Sequence, residues 1–273
     1  MHAAARLTRL RRGRLSFDVH DAGPAGGPPV VLLHGFPQDS TCWSGVAPLL
    51  HDAGLRTVAL DQRGYSPGAS PRPSAAYRLE HLASDVLHLL DHTGPAHIVG
   101  HDWGGGVAWA LGAWAPERVR SLTVLSTPHP RALWGSLVRS DQALRSWYIA
   151  LVQVPALPEA LLGRRLEPAL ERSGLPHDDA ARYAERMRDR STLRSALAWY
   201  RALPLSRRLV GDVTVPTTFV WGTRDVALGR WAAEHTEAHV RAPYRFVELD
   251  AAHWLPETRS EDVAAAVVDG VGS

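Results

Sequence analysis

The sequence contains no lysine and no asparagine. All 30 basic residues are therefore arginine, and the pI of about 9.0 follows from that one side chain. Against 28 acidic residues the formal net charge is only +2. So small an excess excludes the strong field that draws a protein onto nucleic acid or an anionic membrane. A single cysteine, Cys42, rules out an internal disulfide and suits a reducing compartment. No apolar run approaches the roughly 20 residues that cross a bilayer. The basic start MHAAARLTRLRRGR passes straight into RLSFDVHDAG, with no apolar core of signal-peptide length. No phosphate loop or G-x-G-x-x-G fingerprint is present. His88 and His92 stand four apart but lack the glutamate of H-E-x-x-H, so no metal is expected. These absences leave a soluble cytoplasmic protein, monomer or homodimer, without cofactor and without a nucleic-acid or membrane partner.

What is present is a rhythm. Short apolar runs bounded by turn residues lie at Val30–Leu33, Thr57–Leu60, His97–Val99, Leu122–Leu125, Thr217–Trp221 and Tyr244–Leu249. Continuous runs of this kind suit strands buried on both faces of a mostly parallel sheet. Helical patterns fall between them at Trp43–Ala53, Leu79–His92, Gly105–Trp114, Arg230–His239 and Ser260–Val268. The alternation predicts a doubly wound α/β fold. From about 129 to 210 it breaks into Leu/Ala/Arg/Glu-rich helical spacing punctuated by Pro155, Pro158, Pro168, Pro176 and Pro204. This stretch reads as a helical insertion. The expected division is a core of residues 1–128 and 211–273 with a helical cap over 129–210. A cap there would sit over the carboxyl ends of the strands, where such sheets bind ligands.

One short frame concentrates chemistry. In VGHDWGGG, Asp102 follows a strand-like run and precedes a helix-like one. Gly100, Gly104 and Gly105 supply the small residues that a sharp strand–turn–helix junction needs, which lifts the central side chain above the sheet edge. Taken alone, Asp102 is equally readable as a helix N-cap. Three partners change the balance. LLHGFPQ, with His34, Phe36 and Pro37, follows a predicted strand, and a backbone N–H there could join that of Trp103 in an oxyanion hole. Asp225 in FVWGTRDVALG and His253 in LDAAHWLP each follow a later strand. Nucleophile, acid, base is the chain order of a catalytic triad on this kind of sheet.

With HGFP, DQRGYS, GHDWGG, WGTRD and AHW in order, the sequence resembles the α/β-hydrolase superfamily over nearly its whole length. The aspartate at the nucleophile position resembles the epoxide hydrolase and haloalkane dehalogenase branch. A carboxylate is ionised near neutral pH and needs no base to attack a saturated carbon. The resemblance implies an alkyl-enzyme ester on Asp102, then hydrolysis by water that His253, oriented by Asp225, activates. SWYIALVQVP and ALAWYRAL resemble the two ring-opening tyrosine motifs of epoxide hydrolase caps, which implies that Tyr148 and Tyr200 polarise the leaving oxygen. The second motif often carries an asparagine where Ala198 stands here. The expected substrate is a small apolar epoxide, hydrolysed to a vicinal diol.

The implied oxyanion donors are Phe36 and Trp103, and the implied substrate contacts are His34, Pro37, Trp103 and Trp199. Leu151, Val152, Val154, Leu157, Leu161 and Leu162 would make the pocket apolar. One alternative is a haloalkane dehalogenase with the same nucleophile, its halide held by Trp103 and a cap tryptophan (Trp134, Trp147 or Trp199). Another is a non-hydrolytic ligand-binding protein or lyase on the same scaffold.

Overall fold

A computed structural model describes residues 6–272 except 155, 163 and 164, so Pro155 lies outside the described residues. Eight strands form one sheet: β1 (Arg9–Arg12), β2 (Leu15–Ala22), β3 (Pro29–Leu33), β4 (Arg56–Leu60), β5 (Ala96–His101), β6 (Val119–Leu125), β7 (Thr217–Gly222) and β8 (Tyr244–Leu249). Their order is β1-β2-β4-β3-β5-β6-β7-β8. The first two pairings are antiparallel, and all from β4 to β8 are parallel. This is the mostly parallel, doubly wound α/β arrangement that the alternation predicted.

The parallel strands are apolar because helices cover both faces. Val30, Val31, Leu32 and Leu33 of β3 and Ile98 and Val99 of β5 are almost wholly buried. The N-terminal hairpin of β1 and β2 was not anticipated. In LSFDVHDA, buried Phe17 and Val19 alternate with polar Ser16, Asp18 and His20. That two-residue period marks a strand with one wet face, which a search for continuous apolar runs passes over. The helix expected over Trp43–Ala53 is split into a 3-10 turn at Ser40–Trp43 and a helix at Val46–Asp52, with Gly45 at the break. That expected over Arg230–His239 likewise divides into Arg230–Glu234 and a turn at Glu237–His239.

Strand order reverses at β3: the chain steps outward to β4, then returns to the other side of β3 as β5. The crevice at such a switch point opens at the carboxyl ends of the strands. Leu33 pairs with Gly100 there, so the turn after β3 and the turn after β5 emerge side by side. Gly222 pairs with Leu249 at the same edge, which brings together the loops that follow β7 and β8.

Between β6 and β7 the described residues form helices and turns. Helices run over Pro130–Arg139, Gln142–Arg145, Trp147–Val152, Leu157–Leu162, Leu166–Arg172, His177–Met187 and Arg190–Ala202. Pro130, Pro158 and Pro168 all fall in first turns, where a missing N–H costs no helical bond. Pro176 precedes the next helix. Among the described residues, no helix is long and apolar enough to cross a membrane.

Candidate active site

Asp102 joins β5 to the helix Trp103–Trp114 with φ 50° and ψ −120°. A non-glycine residue held at such angles costs on the order of 1–3 kcal/mol and persists only where its surroundings enforce it. They do so by close approach of backbones. A Cβ at Gly100 would strike the Gly104 carbonyl, and one at Gly104 would strike the Leu33 carbonyl. Asp102 holds the N-cap position, yet its side chain makes no capping bond. The carboxylate is therefore free for other partners.

Its first partner is the turn after β3. The Phe36 N–H donates to Asp102 Oδ1 at 2.9 Å. Gly35 makes this approach possible, because a Cβ there would collide with Cβ and Oδ1 of Asp102. Trp103 opens the following helix, so its own N–H is among the first-turn donors that have no partner within a helix. The peptide between Phe36 and Pro37 is cis, and Pro37 is buried.

The second partner is His253. Its Nε2 lies 3.6 Å from Asp102 Oδ2, while its Nδ1 lies 2.7 Å from Asp225 Oδ2. Asp225 is almost wholly buried, and its Oδ1 accepts the N–H groups of Ala227 and Leu228 at 2.8 and 2.9 Å. Burial of His253 opposes its charge, but Asp225 and then Asp102 outweigh it and lift the imidazole to about 10. Burial likewise opposes the charge on Asp102, but bonding and attraction to His253 hold its carboxyl below the usual range. Both shifts favour an imidazolium beside a carboxylate.

Both expected tyrosines converge on this corner. Tyr200 packs edge-on against Trp103 with ring centroids 4.8 Å apart, against Phe36 at 5.5 Å and against Tyr148 at 6.1 Å. Burial raises the pKa of each phenol, and the Asp102 charge adds to it in both cases. A hydrogen bond from the Trp103 side chain acts the other way on Tyr200. The phenols are thus protonated donors at any physiological pH. The helices carrying them are tied together: Gln153 Nε2 donates to the Tyr200 carbonyl at 2.9 Å, and Arg201 Nε donates to the Val152 carbonyl at 2.9 Å. A half-buried pair between Arg201 and Glu159 at 2.7 Å secures the second tie.

Other expected contacts fall differently. His34 is fully buried, with Nδ1 3.0 Å from the Gly35 carbonyl and Nε2 accepting the Gln62 N–H at 3.1 Å. No ring nitrogen of His34 is left for a ligand. Trp199 is buried and donates its indole N–H to the Arg63 carbonyl at 2.7 Å, with its ring edge-on to Trp103 at 5.9 Å. Trp134 and Trp147 are 64% and 65% exposed. The indole N–H of Trp199 is thus engaged away from Asp102, and Trp134 and Trp147 stand largely in solvent. Of the six apolar residues expected to line the site, Val154, Leu157 and Leu161 are exposed instead. Leu157 and Leu161 share a face of one short helix, and that face meets solvent. Asp61 and Arg63 organise loops. Asp61 accepts the Ser40 N–H at 2.8 Å, and Arg63 forms a two-pronged pair with Asp85 at 2.7 Å.

Further buried residues support this arrangement of Asp102, His253 and Asp225. His101 lies fully buried between Gln38 Oε1 at 2.8 Å and the His253 carbonyl at 2.9 Å. Ser126 also donates to that carbonyl at 2.7 Å. Gln142 is buried against the loop after Asp225, where it donates to the Ala227 carbonyl at 2.7 Å and accepts the Gly229 N–H at 2.8 Å. Arg145 reaches the Asp225 carbonyl at 3.0 Å. Only the proximity of His101 to Asp102 in sequence hinted at any of these. One cluster among the described residues has the donor spacing of a metal site, Glu167, Glu171 and His177. His177 and Glu171 already pair with each other at 2.5 Å on the surface.

The family described as alpha/beta hydrolase fold matches residues 28–260. The AB hydrolase superfamily protein YfhM of Bacillus subtilis is 35% identical over 255 residues, covering 88% of this chain and 89% of that protein. Epoxide hydrolase A of Mycobacterium tuberculosis is 29% identical over 301 residues, covering 92% of each. The crystal structure of epoxide hydrolase A from Mycobacterium thermoresistibile superposes with a TM-score of 0.82 at 28% identity, over 97% of both chains. With a match that runs from the first parallel strand to the start of the last helix, the chain belongs to the α/β hydrolase fold family.

Proposed function

We propose that this protein is an epoxide hydrolase that opens its substrate with Asp102 and releases a vicinal diol. The observation that carries the reading is the division between the two carboxylate oxygens of Asp102. Oδ1 is held by the Phe36 N–H, and Oδ2 faces His253 without a close hydrogen bond. Oδ2 attacks an epoxide carbon, the C–O bond of the ring breaks, and the alkoxide takes a proton from Tyr148 or Tyr200. Oδ1 is then the carbonyl oxygen of an alkyl ester and already occupies the oxyanion site.

Esterification removes the negative charge of Asp102. His253 then loses one of the two carboxylates that hold its proton, gives that proton through solvent to the tyrosinate left by ring opening, and as a neutral imidazole becomes able to act as a base. It takes a proton from water, and the hydroxide adds to the carbonyl carbon of the ester. Negative charge collects on Oδ1, where the Phe36 and Trp103 N–H groups stabilise it. Collapse expels the diol alkoxide, which His253 reprotonates. Residues 129–210 form the cap that carries both phenols, and the apolar rings of Phe36, Trp103, Tyr148 and Tyr200 favour an apolar substrate. Epoxide and water are the only reactants.

A single turnover in ¹⁸O-labelled water tests the reading. The first diol released by enzyme in excess over an aryl epoxide is expected to be unlabelled, with the label found in the peptide containing Asp102. Labelled diol in that first turnover means direct attack by water and overturns the proposal. So does a lack of diol across a panel of aryl and alkyl epoxides.

A further inference from the structure

The mechanism leaves one buried carboxyl without a task. Glu257 lies on the helix Leu255–Thr258, a turn beyond His253. Its Oε1 accepts from Gln38 Nε2 at 2.7 Å and from the Tyr183 hydroxyl at 2.9 Å. Its Oε2 is buried without a hydrogen-bond partner. Among the described residues, no guanidinium pairs with it. A buried carboxylate without a cation is costly, and it persists where something depends on it.

What depends on it is the orientation of an amide. Gln38 is fully buried, and the two ends of its amide have the same shape but opposite hydrogen bonding. Gln38 Oε1 accepts the Gly35 N–H at 2.9 Å and lies 2.8 Å from His101 Nδ1. A backbone N–H can only donate, so the Gly35 side demands the oxygen. A carboxylate can only accept, so the Glu257 side demands the nitrogen. Gln38 Oε1 can also accept from His101 when the ring proton sits on Nδ1; His101 Nε2 then has no hydrogen to give the His253 carbonyl, which Ser126 serves. The residue after Gly35 is Phe36, whose N–H meets Asp102 Oδ1.

We propose that Glu257 is a positioning residue for the oxyanion donor: its carboxylate fixes the Gln38 amide, which through the Gly35 N–H holds the Phe36 N–H against Asp102. This inference rests on the role given to the Phe36 N–H above. The hold depends on pH. Burial pushes the Glu257 carboxyl up to about 7, against the pull of its bonds to Gln38 and Tyr183. The groups facing it are Gln38 after β3, Cys42 on the adjoining turn, and Asp179 and Tyr183 on the helix His177–Met187, with Asp39 beside Cys42 and Arg182 beside Tyr183. Asp179 adds to the upward push, and Arg182 is engaged with Asp179 at 2.7 Å and with the Tyr183 ring. Protonation exchanges a charge-assisted bond to Gln38 for a neutral one of about half the strength.

The test compares wild type with Glu257→Gln and Glu257→Leu. Ester formation and breakdown are timed by intact mass in single turnovers, and the Gly35 amide ¹⁵N shift is followed from pH 5.5 to 9. Glu257→Leu is expected to slow ester breakdown by about 10-fold or more, part of the 10²–10³ lost when such a donor is removed outright. Ester formation should change far less. Glu257→Gln keeps an acceptor for Gln38 and should restore most of the breakdown rate. The Gly35 shift should titrate near neutrality in wild type and stay flat in Glu257→Gln. A flat Gly35 shift in wild type, or wild-type ester breakdown in Glu257→Leu, overturns the inference. If Glu257→Leu does not fold, the two Gly35 titrations decide. If wild type forms no ester, the functional reading fails, while the Gly35 titration still tests the link to Glu257.

Discussion

Replacing His253 with glutamine should separate the two halves of the reaction. At rest the imidazolium stands 3.6 Å from Asp102 Oδ2. At an effective dielectric of ~20, one charge pair at that distance is worth roughly 4–5 kcal/mol. Forming the ester removes that attraction, and His253 returns toward the ordinary histidine range with only Asp225 beside it. The base therefore becomes available when the ester exists and not before. Glutamine can occupy the space but cannot take a proton from water. Ester formation asks nothing of His253 as a base, so it should survive within about 10-fold. Ester breakdown should lose the full contribution of a general base, about 10²–10⁴ in rate, or roughly 3–5 kcal/mol of barrier.

Incubating His253→Gln with an aryl epoxide should then raise the intact mass of nearly every molecule by one substrate, and peptide mapping should put the increment on Asp102. Wild type under the same conditions should show only a transient adduct and accumulate diol. No adduct in the variant, an adduct on another residue, or decay at the wild-type rate would refute the reasoning.

Other perturbations probe the same site. Gly35→Ala places a methyl group against Cβ and Oδ1 of Asp102; turnover should fall by about 100-fold, the usual order for an ångström-scale displacement, with the melting temperature little changed. Wild-type activity in that variant would show that the turn after β3 yields freely. Tyr148→Phe and Tyr200→Phe should each slow ester formation by roughly 10–100-fold while leaving ester breakdown alone, and the double variant should form no ester. Equal loss in both steps would point to damaged packing instead of a lost acid. Stability should also fall in mild alkali. The folded state raises the His253 pKa to about 10 despite burial, through Asp225 and Asp102. That stabilisation is complete below the ordinary histidine range and is lost as pH climbs through 10. The unfolding free energy of wild type from denaturant titration should drop between pH 7 and 10 by several kcal/mol, and that of His253→Gln should be nearly flat over the same span.

What the sequence made legible is what local sterics dictate. Gly100, Asp102 and Gly104 announced their junction because only glycine fits where two backbones cross, and that demand is written in neighbouring letters. The central strands were legible for a similar reason: burial on both faces leaves no room for polar interruption. β2 obeys the alternating rule, and β1 buries little more than Leu10 among arginines, so neither advertised itself as an apolar run. The insertion was legible as helix but not as to which face turns inward. Leu157 and Leu161 look like lining residues on paper, yet the short helix that carries them is packed through other positions.

The deepest gap concerns Gln38 and Glu257, which meet across 219 positions. A buried glutamine and a buried glutamate have no periodicity and no motif, and each would be read as surface in isolation. Their meaning comes from complementarity between an amide nitrogen that only donates and a carboxylate that only accepts, which exists only once the sheet has brought the turn after β3 against the loop after β8. The proposed nucleophile, Asp102, could be found by reading along the chain. The apparatus that aims it is a property of the fold, and chemistry of that kind has to be sought in the hydrogen bonds that tie distant loops together.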